Sequence, residues 1–160
     1  MARIAGLYRH PVKGFTPEAV DEAVLTARQV FPFDRLYAIE VGPSGFDPDN
    51  PKHISKQKFA VLAKSAVLSR CVTRFDEADS IFTVIWPDGL ETAYALETTA
   101  GREALAHDLA RAFPDEFQGE LKVLKGPDVH RFTDHPLGQL SLLNLASLDA
   151  VSSAFELPVE

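Results

Sequence analysis

The sequence has a single cysteine, Cys71, which excludes an internal disulfide and any zinc site built from cysteines. It stands in SAVLSRCVTRF, where apolar and polar residues roughly alternate, and is expected as a small buried residue of a strand rather than a reactive thiol. Long apolar runs are missing too, and none approaches the roughly 18 to 20 residues needed to cross a bilayer. The N-terminus lacks a basic-then-apolar leader, because charged Arg3 and a short alternating segment come first. A cytoplasmic protein of bacterial type, with no membrane partner, is the simplest expectation. Nor is there an excess of positive charge: the formal net charge is −7, which argues against nucleic acid as a partner. The sequence contains no nucleophile elbow, P-loop, dinucleotide fingerprint or His-Glu-x-x-His helix. Of its five histidines, His130 and His135 lie close together beside Asp134, without a third ligand at a recognisable spacing for a metal.

What is present suits one globular domain, or one domain with a fragment of a second. Hydrophobic residues make up 46% of the chain, enough to bury a real core. The charge is unevenly divided. Residues 1–75 carry eleven Lys/Arg against seven Asp/Glu, and residues 76–160 carry five against sixteen. A small anionic ligand therefore belongs to the first half.

Alternation predicts a strand over residues 3–9, ended by His10-Pro11 because proline gives no ladder donor. A turn is expected over 12–16, and the ambiguous PEAVDEAVLTA (17–27) leans towards strand. Arg35–Val41 is rich in strand formers, and Gly42–Pro51 is a loop by composition. In PKHISKQKFAVLAKS, Phe59, Leu62 and Ala63 fit a short helix. Val67–Phe75, Ser80–Trp86 and Leu90–Leu96 read as an antiparallel meander. A threonine cap starts a helix with Leu105, Leu109 and Phe113 on one face. Leu121–Leu124 is a strand, Gly126–Pro136 a loop, Leu140–Leu143 a strand, and Ser147–Phe155 a serine-capped helix. The last two lack later strands to pair with, so their apolar faces call for another cover. The expected fold is α+β and strand-rich, a barrel-like, mostly antiparallel sheet with one or two packed helices.

Two cations stand where strands stop and start. Lys13 follows a rigid proline and precedes Gly14, which lets a ligand or another backbone come close. Arg35 opens a strand after Asp34. A guanidinium fork and a compact ammonium at adjacent strand ends make a phosphate pocket. Spacing alone fits a solvated lysine and a structural Asp34–Arg35 pair as well. His53, Lys56 and Lys58 follow the Gly/Pro loop, either as a basic flap over an anion or as a solvated helix start.

Taken together, Pro-Val-Lys-Gly after one strand, then Asp-Arg-x-Tyr-x-Ile-Glu and a Gly/Pro loop, resemble the N-terminal β-barrel domain of MOSC (molybdenum cofactor sulfurase C-terminal) proteins. Their relatives include the mitochondrial amidoxime reducing component. Tyr8, Pro11, Val12, Lys13, Asp34, Arg35, Tyr37 and Ile39 carry the match, and HRFTDHPLGQLSLLNLASLDAV is similar to the start of the MOSC domain proper. The resemblance implies a barrel-like N-terminal domain over residues 1–125 and the truncated first segment of a MOSC domain over 126–160. It implies binding of the pyranopterin molybdenum cofactor, with Lys13 and Arg35 on its phosphate, and Asp134 and His135 lining the cavity. By association with sulfurases it also suggests pyridoxal phosphate. The implied whole protein reduces N-hydroxylated compounds or carries sulfur to metal centres, and its partner is the missing C-terminal MOSC half or a redox or sulfur-transfer protein. The sequence departs from the family at Gly14, where serine is frequent, and in PKHISKQKF, where arginine and proline are common. The family's molybdenum-ligating cysteine would fall beyond Glu160, so this chain alone is expected to be inactive. The rival reading is a non-catalytic binding module that keeps the barrel without the cofactor.

Overall fold

The computed structural model of the chain describes residues 3–27, 29–136 and 140–155. In chain order the strands are β1 (Leu7–Arg9), β2 (Val12–Lys13), β3 (Glu18–Val20), β4 (Tyr37–Val41), β5 (Val72–Asp76), β6 (Ile81–Ile85), β7 (Glu91–Ala95) and β8 (Leu121–Lys125), with helices α1 (Thr99–Ala112) and α2 (Leu145–Phe155). They build three ladders among the described residues, β1–β3, β2–β4–β8 and β5–β6–β7. The fold is thus α+β, strand-rich and mostly antiparallel, with β2–β4 a parallel pair. The ladders do not join into one closed barrel among the described residues.

Strand β4 is the centre because both its faces are buried. Tyr37 and Ile39 point into the main core with Phe15, Leu68, Phe82, Leu105 and Leu109. Ala38, on the opposite face as the pleat requires, belongs to a second cluster with Phe59, Leu124 and Phe132. β8 pairs with β4 along its whole length, so everything else must use the other edge. β2 takes the first part of that edge. Pro11 gives no N–H, but its carbonyl accepts from the Tyr37 N–H at 3.0 Å, and the chain passes there from one ladder to another. The expected turn over 12–16 is therefore a short parallel strand followed by a turn.

Beyond Lys13 the edge changes hands. The Ala60 N–H donates to the Ile39 carbonyl at 2.8 Å, and Phe59 bridges Glu40. Gly14 lies where the two segments abut. Its φ is +95°, and a Cβ there would stand 2.2 Å from the Ala60 carbonyl oxygen. What glycine admits at this point is another backbone.

The meander forms as expected from its turn signals. Helix α1 starts at Thr98, whose Oγ1 accepts from the Gly101 N–H at 3.0 Å, and it buries Leu105, Ala106 and Leu109. Cys71 is fully buried; desolvation pushes its thiol up to about 11, so at neutral pH it is protonated and no nucleophile.

Other expectations are revised. Strand 3–9 shortens to β1, because β3 offers only three residues to pair with. The 51–65 helix is a 3₁₀ turn at Lys56–Lys58, followed by Phe59 in the second core cluster; Leu62 and Ala63 are exposed. Ala66–Arg70 is 3₁₀ rather than strand. Leu140–Leu143 forms no strand pairing among the described residues and is exposed, while 137–139 lie outside them. Helix α2 is capped by Asn144 rather than Ser147, its Oδ1 accepting from the Ala146 N–H at 2.9 Å. Leu142, Leu143 and Phe155 are 90%, 74% and 70% exposed, so this segment carries an uncovered apolar surface. Among the described residues no helix is long and apolar enough to cross a membrane.

Candidate functional site

The register of the central sheet places Lys13 beside Ala38, and Ala38 beside Leu124. Val12 faces the main core, so Lys13 faces the second cluster, and its side chain is only 4% exposed. A lysine ammonium with so little water must be paired. Its Nζ donates to the Phe132 carbonyl at 2.9 Å and to the Asp134 carboxylate. Phe132 is held by the rings around it, with centroids 5.0 Å from Phe46 and 5.4 Å from Phe59. The loop that carries it is tied down by Arg131, whose guanidinium donates to the Pro127, Asp128 and His130 carbonyls.

Arg35 precedes β4 with φ +49°, a left-handed backbone that a residue other than glycine seldom adopts without constraint. The constraint is visible. Its N–H donates to the His10 carbonyl at 2.6 Å, and its carbonyl accepts from the Phe132 N–H at 3.0 Å. The residue is therefore the knot between the end of β1 and the loop after β8. Its guanidinium pairs with Asp34, whose other oxygen accepts from the His10 N–H at 2.8 Å. Asp34 is buried and orients the fork, leaving the Arg35 side chain 30% exposed.

The charges act on one another. Burial lowers the Lys13 pKa, Asp134 works against that, and Arg35 and Lys56 push in the same direction as burial. For Asp134, burial opposes the charge, but the Lys13 hydrogen bond with the charges of Lys13, Lys56 and Arg35 holds the carboxyl below its usual range. Lys13 and Asp134 are thus in contact, and the charges of Arg35 and Lys56, from two further segments, are felt at both. His53 acts instead on His130. Lys58 is exposed on the same 3₁₀ turn as Lys56, its N–H donating to the Ser55 carbonyl. His135 is exposed, and its carbonyl accepts from Thr133 Oγ1 at 2.9 Å.

Two further features were hidden in the sequence. Tyr37 is wholly buried and donates to Glu97 Oε1 at 2.9 Å, while Lys125 donates to Glu97 Oε2 at 2.5 Å. Burial and that hydrogen bond raise the phenol far above its ordinary range, so Tyr37 supports the strand rather than a reaction. Arg9 is buried between carboxylates and rings, at a junction of sheets. The hint for it was positional: it shares a face with Leu7, not with Tyr8. Lys13 lines neither of two concavities. One of about 330 Å³ is lined by Arg70, Trp86, Asp108, Arg111 and Phe113, and one of about 250 Å³ by Phe46, Asp47, Asn50 and Lys52. Among the described residues no group of three or more His, Cys, Asp or Glu could hold a metal ion.

A family described as the MOSC N-terminal beta barrel domain matches residues 1–134, a span that ends on the carboxylate paired with Lys13. No curated protein and no solved structure matches the chain.

Proposed function

The chain belongs to the family of the MOSC N-terminal beta barrel domain, and from that premise we propose that Lys13, Arg35 and Lys56 hold the phosphate of the pyranopterin molybdenum cofactor. The observation that carries this reading is the buried Lys13 ammonium paired with the half-exposed Asp134 carboxylate, on a loop that Arg35 also holds through its backbone, with the charges of Arg35 and Lys56 felt at that carboxylate. An ammonium, an aimed guanidinium fork and an exposed lysine together suit a phosphate monoester. The donor set fits the phosphate end of the cofactor; a metal would need ligands from outside the described residues. When bound, the cofactor supplies redox or sulfur-transfer chemistry. These residues bind and orient its anionic end, as one part of a MOSC-type oxidoreductase or sulfur carrier completed by a further MOSC half or a redox or sulfur-transfer partner.

The second reading, a binding module without the cofactor, has two observations in its favour: Lys13 is already paired within the chain, and so is the Arg35 guanidinium, with Asp34. Titration separates the two. The chain should bind inorganic phosphate or a pterin phosphate monoester with roughly millimolar affinity that falls as salt rises. Arg35→Asn keeps a residue that tolerates left-handed backbone and should weaken binding at least about tenfold, the loss expected for a charge-assisted hydrogen bond. Arg74→Ala removes an exposed arginine paired with Glu91 and should leave binding unchanged. Calorimetry decides: equal losses in both variants, or no binding by the natural chain, would favour the module.

A further inference from the structure

We propose that Asp134 is the internal occupant of this anion site, and that a phosphate enters by exchanging with its carboxylate. The inference rests on the phosphate reading above and adds how the site is gated. Its ground is the shape of the Lys13 environment. The Lys13 side chain is 4% exposed, whereas the Asp134 side chain paired with it is 56% exposed. The other partner, the Phe132 carbonyl, belongs to a buried residue. Asp134 is therefore the partner on the solvent side of the ammonium, and an incoming anion meets Lys13 where the carboxylate now sits.

Exchange also satisfies the electrostatics. A buried ammonium cannot stay charged without a partner at acceptable cost. Asp134 supplies one while no ligand is present, and a phosphate oxygen supplies it afterwards. The carboxylate leaves for water, which already reaches more than half of its side chain, and there it sheds the desolvation that burial imposes on it. Arg35 and Lys56, which act on Asp134 in the closed arrangement, then face the phosphate. Thr133 and His135, which flank Asp134, are tied to each other through the Thr133 hydroxyl. Ligand occupancy is thereby linked to the position of residues 133–136, the stretch that leads towards the exposed apolar segment 140–155.

Asp134→Asn tests this. The amide keeps the size of the side chain but removes the competing charge, so inorganic phosphate should bind about tenfold more tightly than to the natural chain. Phosphate added to the natural chain should also shift the backbone amides of 133–136 with the same midpoint as those flanking Lys13. Asp134→Ser should tighten binding in the same sense, which guards against an effect peculiar to asparagine. Unchanged or weaker binding in both variants, while the natural chain binds phosphate, overturns the exchange and leaves the phosphate site standing. If neither the natural chain nor the variants bind phosphate or a pterin phosphate monoester, the site reading itself falls and the exchange with it.

Discussion

Gly14→Ser should destabilise the fold by about 4 kcal/mol, the sum of left-handed strain and an overpacked contact. The first part comes from φ +95°, a conformation that costs a residue with a Cβ roughly 1–3 kcal/mol. The second comes from the Ala60 carbonyl, 2.2 Å from the new Cβ. That oxygen is backbone and cannot turn aside. Its residue is pinned to Ile39 by the bond that lets Phe59–Ala60 continue the edge of β4. Relief would mean unzipping that edge, immediately beside Lys13. Gly42 is the control, since it has φ +67° with nothing within 4 Å of its virtual Cβ. Gly42→Ser should cost only the conformational part, about 1–2 kcal/mol. Urea unfolding of both variants measures the difference. If serine is tolerated equally at both positions, the contact with Ala60 is not what requires glycine.

Arg9→Ala should cost about 3 kcal/mol, in the range for breaking a buried ion pair. Arg9 stands directly opposite Glu18 in the β1–β3 pairing, its Nε donating to Glu18 Oε2 at 2.9 Å and its NH1 to Glu77 at 2.5 Å. The guanidinium also lies 5.4 Å from the Phe33 ring centroid and 5.9 Å from that of Phe75. Glu18 in turn accepts from the Phe75 N–H at 2.9 Å through its other oxygen. One arginine thus fastens the β1–β3 ribbon to the meander. Alanine would leave the Glu18 carboxylate largely buried with half its partners. In an Arg9→Met, Glu18→Gln double variant the Phe75 acceptor survives and no buried lone charge is left, since Glu77, which also loses its partner, is half exposed. It should therefore recover more than half of the loss. A double variant no more stable than Arg9→Ala would mean that the rings, rather than the charge pair, hold the junction.

How much of this was legible in the sequence depended on how local each feature is. The meander, the Thr98 cap and the α1 stripe were readable because alternation, turn residues and capping are properties of neighbouring residues. The parallel β2–β4 pair was not, since nothing within Pro-Val-Lys-Gly says that a segment more than twenty residues later will lie alongside. The same holds for Phe59–Ala60. Its apolar residues fit a helical face, yet a free edge of β4 claimed the backbone first. The 66–70 segment is rich in strand-like residues, but its N–H groups close 3₁₀ turns instead. For the candidate site, the sequence pointed to Lys13 and Arg35 at strand ends, to His53, Lys56 and Lys58 after the loop and, through the resemblance, to Asp134 and His135. It did not show that Lys13 is buried, because burial came from the loop after β8 folding back over it. The Asp34–Arg35 pair, visible as adjacent letters, is real and sets the aim of the fork.

A backbone and side-chain NMR titration with a pterin phosphate monoester asks directly whether Lys13, Arg35 and Lys56 hold one anion. Saturable shifts are expected, confined to residues around Lys13, Arg35 and Lys56 and to the 132–136 turn, and weakening together as salt is raised. Shifts centred instead on the concavity of Arg70, Trp86 and Arg111, or spread over the surface lysines without saturation, would contradict that reading.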